Sequence, residues 1–568
     1  MIKYFISLAL LSVVVTVQAK PDYLPFKPMA DRINTPVGNV VGKSKSLPII
    51  TWGGDIATIH ANGDQANTKS GSIFAQHGLM YRLEREDVFS RQVEKYISGK
   101  TPFLRGTLGM IQTAGTVVEN NPSLKPVIFY QMTWSAGGDA LVVKPGVKKV
   151  SDLKGKTIAV QADGPHVDYI ARVLNDAGLT FNDVKVKWLP DLTGSDNSPA
   201  AALYESDVDA AFVIIPDALA LTSGGNTGTG SEDSIKGAKI LMSTKTANRV
   251  IADVYAVRSD YYQKNKAEIE KLTKALLEAE QSLTVIVKNR LSNKAAYQSV
   301  MSASAELLLD SREAIADTEG LYADCEFVGF KGNVKFFADA KYPRRFEQLN
   351  KEIAKSFKPL GLATSSALIE KSSINYRQLE TGIASISTTE ASRFNKDKVA
   401  AVIARKQQQN SLDDDAIFSF EVFFKPNQQV FSADLYQNDF DRVADLASVY
   451  GGAIITIEGH SDPMGYLKKK KLQENSIVLG RIKQSAKNLS LSRAQSVRDS
   501  IIASAKSRGV LLDPAQFAIV GHGITQPNTG ICGSDPCAPK TEPEWRSNMR
   551  VEFRLIQVEA ESEVFQAL

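Results

Sequence analysis

The chain is poor in the residues that build reactive centres. It has three cysteines and five histidines among 568 residues. Three cysteines exclude a disulfide-dense scaffold and any multi-cysteine zinc or iron–sulfur site, and five histidines leave little for a His-rich metal centre. No metal and no cofactor is expected. The chain also lacks an excess of charge of one sign: 67 Lys and Arg stand against 63 Asp and Glu, a net of +4. Nucleic-acid binders neutralise phosphates with surplus Lys and Arg, so this balance argues against that partner. No nucleophile elbow and no His-Glu-x-x-His metal motif occurs. After the first twenty residues no apolar run approaches the ~20 residues that span a bilayer. What remains is ordinary globular composition, 43% apolar and 23% charged, with length for about three or four domains.

The N-terminus is read first. Lys3 precedes an apolar run from Tyr4 to Val17, and Val17-Gln-Ala19 places small residues where a signal peptidase reads. Residues 1–19 are therefore expected to be a secretory signal peptide, and the mature protein to be exported. Export permits disulfides. Cys532 and Cys537, in Cys-Gly-Ser-Asp-Pro-Cys, are expected to be bridged, with Cys325 left as a buried thiol.

From about 45 to 380, short β-like runs alternate with helical ones. Pro48–Trp52, Pro126–Tyr130, Ala140–Val143, Thr157–Val160, Val184–Trp188 and Asp209–Ile215 read as strands; Asp87–Ser98, Val167–Asn175 and Lys264–Lys288 read as helices. That alternation predicts an α/β fold with mostly parallel sheets. Ligands of such folds sit outside the carboxyl ends of the strands. The loops there are rich in Gly and small polar groups. They supply the candidate ligand-binding residues: Trp52, Gly53, Gly54 and Asp55; Ser135, Gly137, Gly138 and Asp139; Asp163 and His166; and Asp217. Four acidic side chains in this set favour a zwitterion or an amine-bearing ligand over an inorganic anion.

Val150-Ser-Asp-Leu-Lys-Gly-Lys-Thr-Ile-Ala-Val160, Asp183-Val184, Pro190, Ala201-Ala-Leu203 and Asp207-Val-Asp-Ala-Ala211 together resemble the periplasmic solute-binding proteins of the nitrate, sulfonate and taurine type. The resemblance implies a two-lobed, type II periplasmic-binding-protein fold over 45–380. One lobe would hold about 45–138 and 250–380, the other about 140–245, with a small-molecule solute clamped between them and an ABC transporter permease as a partner. Relatives carry Gly-Ser where this chain has Gly164-Pro-His166.

Residues 381–415 are rich in Ser, Thr, Lys and Gln and read as a linker with a helix from Lys396 to Gln409. From 416 to 557 the order is β-α-β-α-β-β, a small α/β sandwich. Gly459-His-Ser-Asp462, Leu489-Ser-Leu-Ser-Arg-Ala494 with Val497, Gly521-His-Gly523 with Pro527, and Asn548-Met-Arg-Val551 closely resemble the OmpA-like peptidoglycan-binding domain. The resemblance implies recognition of the diaminopimelate stem peptide, with Asp462 and Arg493 as the principal residues and His460, Ser461, Asn548 and Arg550 around them. The ammonium and carboxylate at the free end of diaminopimelate suit a carboxylate and a guanidinium fork. Two departures stand out: Ala486 where the family has Asn, and a Lys-rich insertion, 466–488, containing Lys468-Lys-Lys-Lys471.

The combined expectation is a non-enzymatic periplasmic solute-binding protein, tethered to peptidoglycan in a Gram-negative envelope. The alternatives are an enzyme using His166 with Asp163, and an envelope scaffold whose first domain binds a protein.

Overall fold

The strand β4 (Pro126–Ser135) is buried over all ten of its residues. It packs against the helices Leu108–Val117, Lys266–Lys288 and Gly329–Ala338, which accounts for its near-continuous apolar sequence. The computed structural model to which it belongs describes residues 20–40, 45–225, 227–231, 234–380, 394–409, 411–412, 416–423 and 433–558. The expected signal peptide lies outside the described residues, as does Pro426-Asn427, where the sequence predicts a turn after the first C-terminal strand.

Ten strands build the two lobes, with β1 and β2 as a small sheet of their own. With β1 (Lys45–Ile49), β2 (Tyr81–Arg85), β3 (Phe103–Thr107) and β10 (Ala252–Arg258), β4 forms one lobe. Strands β1 and β2 are parallel, β1 lies beside β3, and β10 runs antiparallel between β3 and β4. The second lobe has the order β7-β6-β8-β5-β9: β5 (Asp139–Val143), β6 (Thr157–Gln161), β7 (Lys185–Leu189), β8 (Ala210–Ile214) and β9 (Lys239–Ser243). Here β6 is parallel to β7 and β8, and β5 runs against β8 and β9. In each lobe the strand that has just crossed from the other lobe, β10 or β5, runs antiparallel to both of its neighbours. Parallel neighbours need a long crossover, usually a helix. The link from β4 to β5 is only Ala136–Gly138, so β5 enters its new sheet without one. Among these ten strands the parallel pairs are β1 with β2 and β6 with β7 and β8, whereas β10 and β5 pair antiparallel on both sides, so the expectation of mostly parallel sheets is met only in part. Two short strands, β11 (Cys325–Phe327) and β12 (Glu370–Lys371), add to β4.

The C-terminal sheet has the order β13-β18-β14-β15, from β13 (Ala416–Phe423), β14 (Ile454–His460), β15 (Phe517–Gly523) and β18 (Arg550–Ile556). Strands β14 and β15 are parallel; the other pairs are antiparallel. Helices Ala433–Val449 and Ser476–Ser507 cover one face, packing Phe440, Val443, Val497 and Ile501 on Ile455, Ile457, Val551 and Phe553. Helix Lys396–Gln408 lies on the sheet as well, through Val399, Val402 and Ile403 against Ile454, Val520 and Ile556. A small hairpin, β16 (Ile531–Cys532) and β17 (Asp535–Pro536), carries the disulfide Cys532–Cys537. Cys325 is free and half-buried, and donates to the Leu321 carbonyl.

The three bodies meet at Arg172, on helix His166–Asp176 of the second lobe. Its Nε donates to Asp176 on the same helix at 2.7 Å, one terminal nitrogen to Glu352 of the first lobe at 2.9 Å, and the other to Asp445 of the C-terminal body at 2.5 Å. Tyr450 donates to Asp176 at 2.7 Å and Arg344 to Glu352 at 2.7 Å. Burial opposes the charge on Glu352, yet Arg344 and Arg172 hold it below the usual carboxylate range. Backbone contact continues the seam: Arg249 N–H donates to Val449, and a Cβ on Gly452 would lie 1.7 Å from the Lys245 carbonyl oxygen. Removing one partner of a buried ion pair costs about 3–5 kcal/mol. Arg172→Ala is therefore expected to lower the melting temperature in calorimetry and to let the C-terminal body melt apart from the lobes. A thermogram identical to wild type would show that the junction does not join them.

Candidate functional site

The seam between the lobes is built from the carboxyl ends of strands, and the chain's own side chains fill it. Strand β1 leads into helix Asp55–Ala61, β3 into Leu108–Val117, β6 into His166–Asp176 and β8 into Ile215–Leu221. Asp55 is fully buried and takes two hydrogen bonds from Arg105 Nε and one from its terminal nitrogen; Arg105 also donates to Asp253 at 2.9 Å. Thr133 links Asp253 to the Trp52 indole N–H, with both bonds at 3.0 Å. Burial pushes Asp55 up to about 7 and Asp253 upward, against the pull of Arg105. Asp55 is thus the partner of a core arginine.

The glycines serve packing. A Cβ on Gly53 would lie 2.0 Å from the Leu321 carbonyl oxygen, one on Gly54 2.7 Å from the Met132 sulfur, and one on Gly138 2.7 Å from the Trp52 ring. Trp52 therefore lies against the lobe crossover at Gly138.

A polar chain runs through the crossover. Thr244 Oγ1 accepts from the Gly137 and Asp139 N–H groups and lies 2.9 Å from Ser135 Oγ. Ser135 donates to Asp139 Oδ2 at 2.6 Å, and His166 Nε2 lies 2.8 Å from Asp139 Oδ1. His166 is fully buried and its Nδ1 has no partner. The pairing of His166 with Asp163 on which the enzyme alternative rests is not found. Asp163, at φ 60°, pairs with Arg32 instead. Burial raises Asp163 and Arg32 offsets it. Asp217 also has one buried oxygen without a partner; burial pushes it up, while Thr193 and the charge of His166 pull it down. Asp217 lines an open cavity of about 350 Å³ together with Ser195, Asp196 and Tyr204. A second, of about 460 Å³, lies along Leu219, Ser223 and Thr229.

Two features of the seam were not read from the sequence. Asp168 reaches across from the second lobe, and its carboxylate accepts the Gly109 N–H at 3.0 Å at the start of helix Leu108–Val117. That is where a helix favours an anion. An acidic residue in the first turn after the β6 loop was the available signal. The second feature is the segment 20–40. Leu24 N–H donates to Trp188 and Phe26 packs on the Trp188 ring at 5.1 Å, on the second lobe. Met29 is buried beside helix Leu108–Val117, and Gly38 bonds to Ile97 and Arg258, on the first. The segment straps both lobes, with Arg32 over Asp163.

The C-terminal site lies where β14 and β15 end side by side. Ser461 N–H donates to Gly523, Ser461 Oγ to Ala486, and Gly523 N–H to Ser490 Oγ. A Cβ on Gly459 would lie 2.0 Å from the Ser490 carbonyl oxygen. These contacts press the strand ends onto helix Ser476–Ser507. Asp462 follows, accepting from the Met464 N–H at 3.0 Å with Oδ2, while its buried Oδ1 has no partner. Burial pushes Asp462 up, against Trp545, the Met464 N–H and the charge of Lys468. Arg493, one turn beyond Ser490, is 8% exposed; its Nε is buried without a partner and burial alone pulls its pKa down.

The other candidates there hold the scaffold. His460 is fully buried and stacks on His522 at 4.8 Å, and burial and Arg550 hold it down to about 2. Asn548 accepts the Thr529 N–H, and Arg550 donates to Glu421 at 2.6 Å and to the Gln526 carbonyl.

Two α/β lobes exchanging their connecting strands define the class: this is a periplasmic-binding-protein fold, followed by a further α/β body. Residues 139–284 match the family model described as NMT1/THI5 like. No curated protein matches the chain. Similar solved structures include the periplasmic aliphatic sulphonate binding protein SsuA of Escherichia coli, at 17% identity over 57% of this chain and 90% of that one, TM-score 0.38. They also include the periplasmic nitrate-binding protein NrtA of Synechocystis PCC 6803, at 14% identity over 62% and 90%, TM-score 0.41. The desulfurization enzyme DSZB is similar at 14% identity over 60% and 98%, TM-score 0.32.

Burial pushes Asp168 up to about 7, against the Gly109 N–H. An unfolded Asp titrates near 4, so between about pH 4 and 7 the folded chain holds a proton that the unfolded chain has lost. This contribution to stability is full below about pH 4 and is lost as the pH rises through about 7. Asp168→Asn is expected to flatten the fall in melting temperature over that window and to stabilise the protein by about 1–3 kcal/mol at pH 8. An unchanged pH profile would contradict the assignment.

Proposed function

We propose that the chain is a non-enzymatic, exported solute-binding protein whose two lobes close on a small polar ligand, and whose C-terminal domain, OmpA-like in its motifs, tethers it to peptidoglycan. The observation that carries the tether is Arg493. A buried guanidinium without a counter-charge is costly, and such a group persists where a ligand supplies the missing partner. Asp462, with an unpartnered oxygen at the end of the adjacent strand, supplies the opposite charge. Together they fit an amino acid end bearing an ammonium and a carboxylate, as diaminopimelate does. His460, Asn548 and Arg550 then set the loop rather than touch the ligand. The solute reading rests on His166 Nδ1 and Asp217 Oδ2, two unpartnered polar atoms on the second lobe. It places the protein in the periplasm with an importer's membrane component as a partner.

The closed seam favours a second reading. Asp168 occupies the helix start where a ligand's anion would sit, and the 20–40 segment straps the lobes together. An envelope scaffold whose first domain binds a protein would look the same.

A melting screen of the mature protein against sulfonates, nitrate and amino acids separates the two. A ligand bound only to the native state raises the melting temperature, by about 2.7 kcal/mol of stability at a hundredfold excess over Kd. A shift that His166→Ala removes supports the solute reading; no shift across the panel supports the scaffold. For the tether, Asp462→Ala and Arg493→Ala are each expected to abolish co-sedimentation with diaminopimelate-type sacculi. Wild-type sedimentation of both variants would refute that assignment.

A further inference from the structure

The Lys-rich insertion folds as a helical hairpin that grows out of the Asp462 loop. Helix Met464–Lys471 starts two residues after Asp462, and its first N–H is the one Asp462 accepts. The chain turns at Leu472–Asn475 and returns as the first four turns of helix Ser476–Ser507, the helix that carries Arg493 further along. One hairpin therefore joins the two charged residues of the site.

Its base is braced. Tyr466 is buried and donates to Asp535 at 2.9 Å, Lys470 pairs with Asp535, and Lys483 Nζ sits 4.8 Å from the Tyr466 ring centre. Asp535 lies inside the loop closed by Cys532–Cys537, so the disulfide loop supports the hairpin. Its outer surface is cationic. From 466 to 488 there are seven Lys and Arg against one carboxylate, Glu474. Lys469 pairs with Glu474. Lys468, Lys471, Arg481 and Lys487 are exposed and have no carboxylate partner among the described residues. Lys468 is near enough to Asp462 for its charge to pull the pKa of that carboxyl down. An unpaired basic arm held rigidly beside a recognition site raises the local concentration of a polyanion there.

We propose that this hairpin is a second, electrostatic contact for the wall polymer, gripping carboxylates of the peptide stems that flank the group held by Asp462 and Arg493. The proposal rests on the peptidoglycan reading above and names the chemistry of the neighbouring contact: free carboxylates on a peptide-bearing polymer. The site then has two parts. Asp462 and Arg493 choose one amino acid end at short range, and the hairpin holds the anionic chain around it at longer range.

The test uses the mature full-length protein and purified diaminopimelate-type sacculi. Salt shrinks the screening length from about 10 Å at 0.1 M to about 3 Å at 1 M, so the two parts separate by ionic strength. The combined variant Lys468→Gln, Lys471→Gln, Arg481→Gln, Lys487→Gln changes only exposed side chains, and its melting temperature is expected to match wild type. It is expected to bind sacculi about tenfold more weakly than wild type in ~0.05 M salt and equally in ~1 M salt. Free diaminopimelate-containing peptide is expected to compete in both. Equal binding at low salt would overturn the proposal. So would a loss seen on phosphatidylglycerol vesicles and not on sacculi, which would assign the arm to a lipid surface. Asp462→Ala probes the other reading separately: retained binding in ~1 M salt would refute recognition at Asp462 and Arg493, whatever the hairpin variant does.

Discussion

The three bodies of this molecule are joined at the Arg172 guanidinium. Its three nitrogens reach three carboxylates on three different bodies, and no other described side chain touches all of them. A planar fork with fixed donor directions makes such a junction specific in a way that a lysine could not. The consequence is geometric. The first lobe can separate from the second only by parting Arg172 from Glu352, and the C-terminal body can leave only by parting it from Asp445. Lobe motion and domain docking therefore share one set of charges. Arg344 reinforces the first-lobe side by a second bond to Glu352, and Tyr450 the C-terminal side by a bond to Asp176. A body that lets go exposes its carboxylate on one side of the seam and the guanidinium on the other, and water then replaces the lost partner.

The closed seam has its own logic. A helix start facing a cleft is a partial positive charge that must be met by something. Here it is met by Asp168, a carboxylate carried on the opposite lobe. Closure is thereby satisfied from within, and a solute carrying an anion would have to displace Asp168 rather than fill an empty place. His166 is different. Its Nε2 is fixed by Asp139, which is fixed in turn by Ser135 and Thr244, so the ring is oriented while Nδ1 is left without a partner. Orientation of one imidazole nitrogen by a carboxylate leaves the other ready for a hydrogen bond of defined direction. The seam thus combines a filled position with an oriented, unfilled one.

How much of this was legible in the sequence depends on the range of the interaction. Local patterns carried well. The apolar runs at Pro126–Tyr130 and Thr157–Val160 are strands, the Lys264–Lys288 region is helical, and the alternation of the two gives the α/β class. The glycines at 53, 54 and 138 were read as room for a ligand. Gly can admit a ligand or a neighbouring part of the chain equally, and the neighbours are the Leu321 carbonyl for Gly53, the Met132 side chain for Gly54 and the Trp52 ring for Gly138, each remote in sequence. Asp55 was read as a cleft residue for the same reason: its partner Arg105 is fifty positions away, and no local spacing announces the pair. Asp163 was offered beside His166 because the two are neighbours in the chain; the actual partners are Arg32 and Asp139. Within the C-terminal motifs the short-range pattern located the strand ends and the helix, but not which polar residues would be consumed by the scaffold. His460 alternates inward on β14 with Thr456 and Glu458, and a strand's period of two then places all three on the same side.

That side of β14 explains why Arg493 stands apart. Opposite the helices, Glu458 takes hydrogen bonds from His522 and Arg554, and against the cost of its burial they hold it down to about 2. Arg550 and Arg554 lie alongside, each with a carboxylate within reach in Glu421, Glu458 or Glu552. The domain therefore neutralises its buried arginines wherever the sheet allows it. Arg493 lies on the other side, on the helix, where apolar residues such as Ala494 and Val497 surround its turn and no acidic side chain pairs with it among the described residues. The sheet face compensates two arginines, while Arg493 on the opposite face keeps an unpartnered Nε and Asp462, after the end of β14, an unpartnered Oδ1. On the proposed reading, a rigid helix and a strand end hold these two charges for a molecule that carries both of their opposites, because each would lose its desolvation penalty only when that molecule binds.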